Sequence, residues 1–272
     1  RPARPALATA QHRRKAPQRS APQAALRDAI PENRRRTYAI RPVIETLCDE
    51  GSVLELRRDF GRSLVTCLVR IGGRALGLVA SDTMHLAGAI DGDAADKGAR
   101  FLQLCDAFGL PVVSLVDTPG FMVGPEAETT ALVRRTSRLF VAAASLTVPF
   151  FAVVLRRGYG LGAQALTGGH FHAPFFTVSW PTGEFGGMNL EGAVRIGMKK
   201  QLDAIADPDA RERMAQTLIA EAHRRGTAIN MASLWELDAV IDPADTRAWL
   251  LHGLASTTAP ARPGRRRFID TW

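Results

Sequence analysis

Two apolar runs, Leu64 to Ile71 and Arg74 to Ala80, are interrupted only by single polar positions and separated by Gly72-Gly73. That pattern predicts a β-hairpin, since two adjacent glycines accept the positive φ angles of a tight turn. Upstream, Val43 to Leu47 predicts one short helix ending before Asp49-Glu50-Gly51. Downstream the period lengthens: Lys97, Phe101, Leu104 and Phe108 recur at three- and four-residue spacing, which predicts a helix with Asp93 as its cap. Pro111 to Asp117 then predicts a short buried strand, Glu128 to Leu146 a second helix stopped before Pro149, and Phe150 to Leu155 another buried strand. Phe175 to Trp180 reads as a further strand. Leu190 to about His252 reads as mostly helical, broken by Asp207-Pro208 and by the apolar run Ala239-Val240-Ile241. Short strands alternating with helices predict right-handed crossovers around a mostly parallel sheet, an α/β fold. Four glycine- or proline-bearing loops fall at strand ends: Ala87-Gly88-Ala89, Asp117 to Phe121, Gly158 to Ala163, and Pro181 to Gly187. A parallel sheet crowds such loops along one edge, where sites are built.

Composition bounds the picture without deciding it. A chain of 272 residues, 46% hydrophobic and 23% charged, is ordinary for a globular protein with a sizeable core. The net charge of +8 is concentrated: eleven of the 35 Lys and Arg residues fall within residues 1–41, opposed only by Asp28 and Glu32. Residues 1–33, rich in Arg, Pro, Ala and Gln with no apolar period, predict a solvated basic linker, and residues 34–272 the folded domain. The arm lacks the interleaved aromatics of a nucleic-acid surface, so no nucleic-acid partner is expected. Cys48, Cys67 and Cys105 form no C-x-x-C pair, which argues against a disulfide framework or structural zinc and fits a reducing cytoplasm. The first forty residues carry no apolar secretory core, and their prolines argue against an amphipathic transit helix. No apolar run is long enough to span a bilayer, and an initial Arg1 suggests a processed or partial chain.

The chemistry concentrates after Phe150 to Leu155, where glycine occupies every second position of Gly158-Tyr159-Gly160-Leu161-Gly162 before the chain turns helical. Glycine lets backbone N–H groups converge on an incoming oxygen with no Cβ in the way. A helix N-terminus just beyond adds unpaired donors and partial positive charge. Together these make an anion or oxyanion pocket. Other chemistries fit less well. Gly160 to Ala165 matches the dinucleotide pattern G-x-G-x-x-A with Glu184 suitably downstream, but Gly168-Gly169 interrupts the following helix and the loop lies mid-chain. Ser81, Asp82 and His85 lie close together without a G-x-S-x-G elbow, and His85 reads as structural. His170 and His172 have no third ligand at a suitable spacing, so no metal is expected. Asp91, Asp93 and Asp96 resemble a calcium run but are better explained as helix cap and first-turn acids.

Taken in order, the motifs are more specific than any one of them. Asp49-Glu50-Gly51-Ser52 with the hairpin, Leu86 to Phe101, Cys105-Asp106-Ala107-Phe108, Pro111 and Asp117-Thr118-Pro119-Gly120-Phe121 are followed by the Gly158–Ala163 loop. Trp180-Pro181, Glu191-Gly192-Ala193 and Val240 to Arg247 complete the series. From about Pro31 to His252 the chain closely resembles the C-terminal half of the carboxyltransferase subunit of biotin-dependent acyl-CoA carboxylases.

The resemblance implies a crotonase-like fold of repeated ββα units and transfer of CO2 from carboxybiotin to the α-carbon of an acyl-CoA, with acetyl- or propionyl-CoA as the substrate class. Such enzymes use two oxyanion holes of backbone amides, the N-terminal half binding the CoA ester and the C-terminal half the biotin ring. A site with neither triad nor metal is then expected. Where the family often has Gly-Gly-Ala-Tyr-Asp, this chain has Gly160-Leu161-Gly162-Ala163-Gln164. By that alignment the catalytic amides are those of Leu161 and Gly162, and a one-residue shift makes them Gly162 and Ala163. Gly160, Ala163, Ala87, Gly88 and Ala89 fall on the biotin side. Gln164, in place of an acid, lines the substrate with Gly120 and Phe121. The implied partners are a CoA-binding N-terminal half, a biotin carboxyl carrier, a biotin carboxylase and further copies of this chain. The chain holds neither the CoA-binding half, nor a biotinyl-lysine Met-Lys-Met motif, nor an ATP-grasp loop. It reads as a half-site of a larger enzyme. Rival readings are a decarboxylase running the half-reaction backward, a non-catalytic assembly domain, and a hydratase or isomerase using Glu126, Glu128 or Glu184.

Overall fold

The structure, a computed structural model, describes residues 20–257. One sheet runs through them, built from β1 (Leu54–Leu56), β2 (Leu64–Ile71), β3 (Arg74–Ser81), β4 (Val112–Thr118), β5 (Phe150–Tyr159), β6 (Phe176–Ser179), β7 (Glu184–Gly186) and β8 (Ala239–Val240). The helices are α1 (Arg41–Leu47), α2 (Gly92–Phe108), α3 (Pro125–Glu128), α4 (Leu132–Ala144), α5 (Gly160–Leu166), α6 (Leu190–Gly197), α7 (Lys199–Asp203), α8 (Pro208–Arg225), α9 (Ala228–Ser233) and α10 (Thr246–Ser256). The spatial order is β1-β2-β3-β4-β5-β6-β8, with β7 also on β5. The first two pairings are antiparallel and the rest parallel.

The hairpin forms as expected. Gly72 and Gly73 take φ of 61° and 75°, and Ile71 pairs with Arg74. Asp49 accepts both turn amides, at 3.0 and 2.7 Å, and also pairs with Arg247 on α10. Helices cover both faces of the sheet. On one, Leu250 and Leu254 of α10 and Val43, Ile44 and Leu47 of α1 pack on Cys67, Val113 and Val153. On the other, Ala95, Phe101 and Leu102 of α2, Leu139 of α4 and Ala163 of α5 pack on Val79, Val116 and Val154. β4 is buried along its whole length, the signature of a parallel strand with helices on both sides.

Several elements differ from the sequence reading. The basic arm is not all linker: Gln23–Asp28 forms a 3-10 turn that buries Leu26 and Ile30 in the α1–α10 face. Its period is too short to register as a helix, yet one leucine in a preformed apolar niche suffices to dock it. Residues 1–19 and 258–272 lie outside the described residues. Asp91 rather than Asp93 caps α2, accepting from the Ala94 amide at 2.8 Å, three residues on. Asp93 sits in the first turn and pairs with Arg135 of α4. The helix expected over Glu128 to Leu146 divides into α3 and α4 at Ala131, whose φ of 56° breaks it. β5 runs on past Leu155 to Tyr159, carrying Arg156 and Arg157 into the sheet. Asp207-Pro208 interrupts the helical region by starting α8, with Asp207 capping Asp209 and Ala210. The short strands β1 and β7 left no run long enough to read.

Candidate functional site

β5 delivers the glycine loop to the carboxyl edge of the sheet. Gly160 has φ of 58°, and a Cβ there would lie 2.7 Å from the Gly187 carbonyl oxygen. Gly162 is as tightly seated: a Cβ would lie 2.7 Å from the Gly120 carbonyl carbon and 2.8 Å from its Cα. The absent side chains are therefore what lets three backbones meet. α5 begins in this contact with no side-chain cap at Tyr159. Its first-turn N–H groups, including those of Leu161 and Gly162, have no partner within the helix. The Leu161 side chain, 62% exposed, leaves by the solvent side, while Gly162 and Ala163 are buried and Gln164 is half-buried.

Gly120 ties this loop to the others. Its carbonyl accepts the Ile90 amide at 3.0 Å, the Met122 amide returns to Ile90 at 2.9 Å, and its own amide donates to the Thr118 hydroxyl at 3.1 Å. The Phe121 ring packs against Phe140 on α4. The turn before Ile90 is strained: Leu86, Ala87 and Gly88 have φ of 48°, 50° and 84°. Two consecutive left-handed residues bearing a Cβ persist only where their surroundings over-determine them. The Gly88 amide is held by the His85 carbonyl at 2.8 Å and the Ala89 amide by Leu86 at 2.9 Å. The structure thus brings Ala87–Ala89, Gly120–Phe121 and Gly160–Gln164 to one edge through Gly120.

Beneath these loops lies a charge cluster that the sequence reading did not single out. Asp117, fully buried at the end of β4, accepts Arg156 Nε at 2.9 Å and Arg157 Nε at 2.7 Å. Arg157 Nη2 donates on to the Ala87 carbonyl at 2.7 Å, pinning the strained turn. Arg156 donates to the Arg36 carbonyl at 2.9 Å and stacks over Tyr38. Two guanidinium groups on one carboxylate leave a surplus positive charge beside the Ala87–Gly88 turn. The sequence signal was available: two arginines at the end of an otherwise apolar buried strand need a buried acid.

The rival side chains are engaged elsewhere. The Asp82 carboxylate binds Arg41 at 2.7 Å and the Ser81 hydroxyl accepts the Asp117 amide at 3.1 Å, so neither activates the other. His172 Nε2 faces the Trp235 carbonyl at 2.9 Å. Glu126 and Glu128 are exposed on α3, and the Glu184 carboxylate is bound by Tyr159, His223 and Arg34.

A model of the carboxyl transferase domain matches residues 5–267. The chain belongs to the carboxyl transferase domain family. Among the relatives of this carboxyl transferase domain is the methylmalonyl-CoA carboxyltransferase 12S subunit of Propionibacterium freudenreichii subsp. shermanii. It is 34% identical over 247 residues, covering 90% of this chain and 47% of the relative. The biotin-dependent acetyl-/propionyl-coenzyme A carboxylase beta6 subunit of Mycobacterium tuberculosis is 36% identical over 242 residues, covering 88% and 50%. A transcarboxylase 12S crystal structure described as a hexamer assembly superposes with a TM-score of 0.81 at 33% identity, covering 91% of this chain and 48% of that one. A single-chain, multi-domain long-chain acyl-CoA carboxylase gives a TM-score of 0.79 at 53% identity, covering 86% and 23%. The fold is the crotonase-like α/β fold of these enzymes. The carboxyl transferase domain described here spans about half the length of the curated relatives it matches, which fits the expectation of one half of the subunit.

Proposed function

We propose that this chain supplies the biotin-side half-site of an acyl-CoA carboxyltransferase. The observation that carries the reading is the seating of Gly162 against Gly120 at the uncapped start of α5. Amides there are free of helix partners and face an edge without intervening side chains. Such a donor set suits the carbonyl oxygen of a ureido ring, so the residues fit biotin. Leu161 and Gly162 would hold that oxygen, with Gly160, Ala163 and the Ala87–Ala89 turn around the ring. Carboxybiotin supplies the carboxyl group that is transferred. The part of this chain is to stabilise charge as it develops on oxygen, with donors fixed beforehand and no titrating side chain. Gln164, Gly120 and Phe121 would line the acyl side. The remaining parts, a CoA-binding half, a biotin carboxyl carrier and a biotin carboxylase, would come from separate subunits or from other domains of one polypeptide.

The test is made in the assembled enzyme. Leu161 lies in the first turn of α5, where proline is tolerated because the lost N–H had no helix partner. Leu161→Pro should therefore fold yet lose a donor, on the order of 3 kcal/mol or roughly a hundredfold in transfer rate. Leu161→Ala keeps the N–H and should stay near the parent rate. Folded Leu161→Pro and Gly162→Val proteins with near-parent transfer would remove this loop from the mechanism. Acetyl-, propionyl- and a long-chain acyl-CoA assayed side by side read the acyl preference, on which the relatives' names differ.

A further inference from the structure

Glu184 does no chemistry in the reading above, yet its surroundings are organised about the glycine loop. It lies in β7 and is 8% exposed. Oε1 accepts the Tyr159 hydroxyl, and Oε2 receives His223 Nδ1 at 2.7 Å and Arg34 at 2.8 Å. A carboxylate only accepts, so the His223 contact assigns its proton to Nδ1. Tyr159 is the last residue of β5, immediately before Gly160, and its side chain is buried. Burial, then the Glu184 contact, hold its phenol above the usual range. The backbone repeats the link: Arg157, Gly158 and Tyr159 pair in register with Glu184, Phe185 and Gly186, and the Gly187 carbonyl backs Gly160. Nothing in α5 itself supplies a cap, so the direction of its first amides depends on how Tyr159 is held.

We propose that Glu184 is a positioning residue for the glycine loop, fixing Tyr159 and through it the amides of Leu161 and Gly162, with His223 and Arg34 securing its second oxygen. This inference rests on the oxyanion reading above. It gives a role to a buried carboxylate in a short strand that needs none for pairing.

Tyr159→Phe, Glu184→Gln and the double variant would be made in the full chain within the assembled enzyme, beside Gly162→Val. Carboxyl transfer kinetics and hydrogen exchange of the 158–166 peptide would be read together. Displaced donors should lower kcat about tenfold in each single variant while KM for acyl-CoA stays within about twofold. The double variant should be no worse than the poorer single, as expected of residues acting in one network. Faster exchange should be confined to the loop. A folded Tyr159→Phe with parent kcat overturns the proposal, and so does exchange that rises throughout the domain in step with a lowered melting temperature. If Glu184→Gln does not fold, Tyr159→Phe decides alone. If instead Gly162→Val keeps transfer, the oxyanion reading fails, and local exchange at 158–166 still tests whether Glu184 holds the loop.

Discussion

At Lys97 an amine on α2 is buried against the Phe60 carbonyl, to which Nζ donates at 2.9 Å. Burial pulls its pKa down from 10.5 to about 8. The folded state then binds fewer protons than the unfolded chain between pH 8 and 10.5, so stability rises with pH across that window. The contribution is complete above 10.5 and is lost as pH falls through 8. Denaturant unfolding at pH 7.5 and 10 should show an increment on the order of 1–2 kcal/mol in the parent relative to Lys97→Met. Equal pH slopes for the two proteins would show that the amine is solvated. The residue scale also explains the glycines: Gly160 and Gly162 are set by carbonyl and Cα atoms of Gly187 and Gly120, so substitution there moves backbone.

Among the elements, the turn Gln23–Asp28 has the most direct consequence. Leu26 is 2% exposed beneath α1 and the Pro243–Asp245 turn, Gln23 Nε2 reaches the Thr46 carbonyl at 2.6 Å, and Arg27 grips Asp242 at 2.7 Å. The ion pair is exposed and contributes little; the leucine carries the docking. Leu26→Ala should cost about 2–4 kcal/mol, a fall of several degrees in melting temperature. Removing residues 1–30 should cost at least as much, whereas Arg27→Ala should lie within about 0.5 kcal/mol of the parent. A linker-like arm would leave the melting temperature of Leu26→Ala unchanged.

Across the whole molecule, the described residues assemble one glycine-loop edge, and the chain spans about half of its curated relatives. Purified alone, it should show no transfer between free biotin and methylmalonyl-CoA, and transfer should appear when a CoA-binding half is added. Robust turnover by the isolated chain would mean that one hole suffices.

By itself the sequence determined the alternation of strands and helices, the Gly72-Gly73 hairpin and the glycine loop at the end of β5. Those properties are local: period, turn residues and spacing act between neighbours. It left the arm as linker, put the cap of α2 at Asp93, and missed both the pairing of Asp117 with Arg156 and Arg157 and the partners of Glu184. Leu26 could not be seen because one buried leucine has no period, and the apolar face that receives it is built from α1 and α10, more than two hundred residues apart. The seating of Gly162 on Gly120 and the bonds from Glu184 to Tyr159, His223 and Arg34 join residues 25 to 150 positions apart. Chain pattern carries no information at that range; packing of the sheet and its loops does. Tertiary structure alone therefore decided which backbone Gly162 meets, which arginines share Asp117 and which partners Glu184 takes.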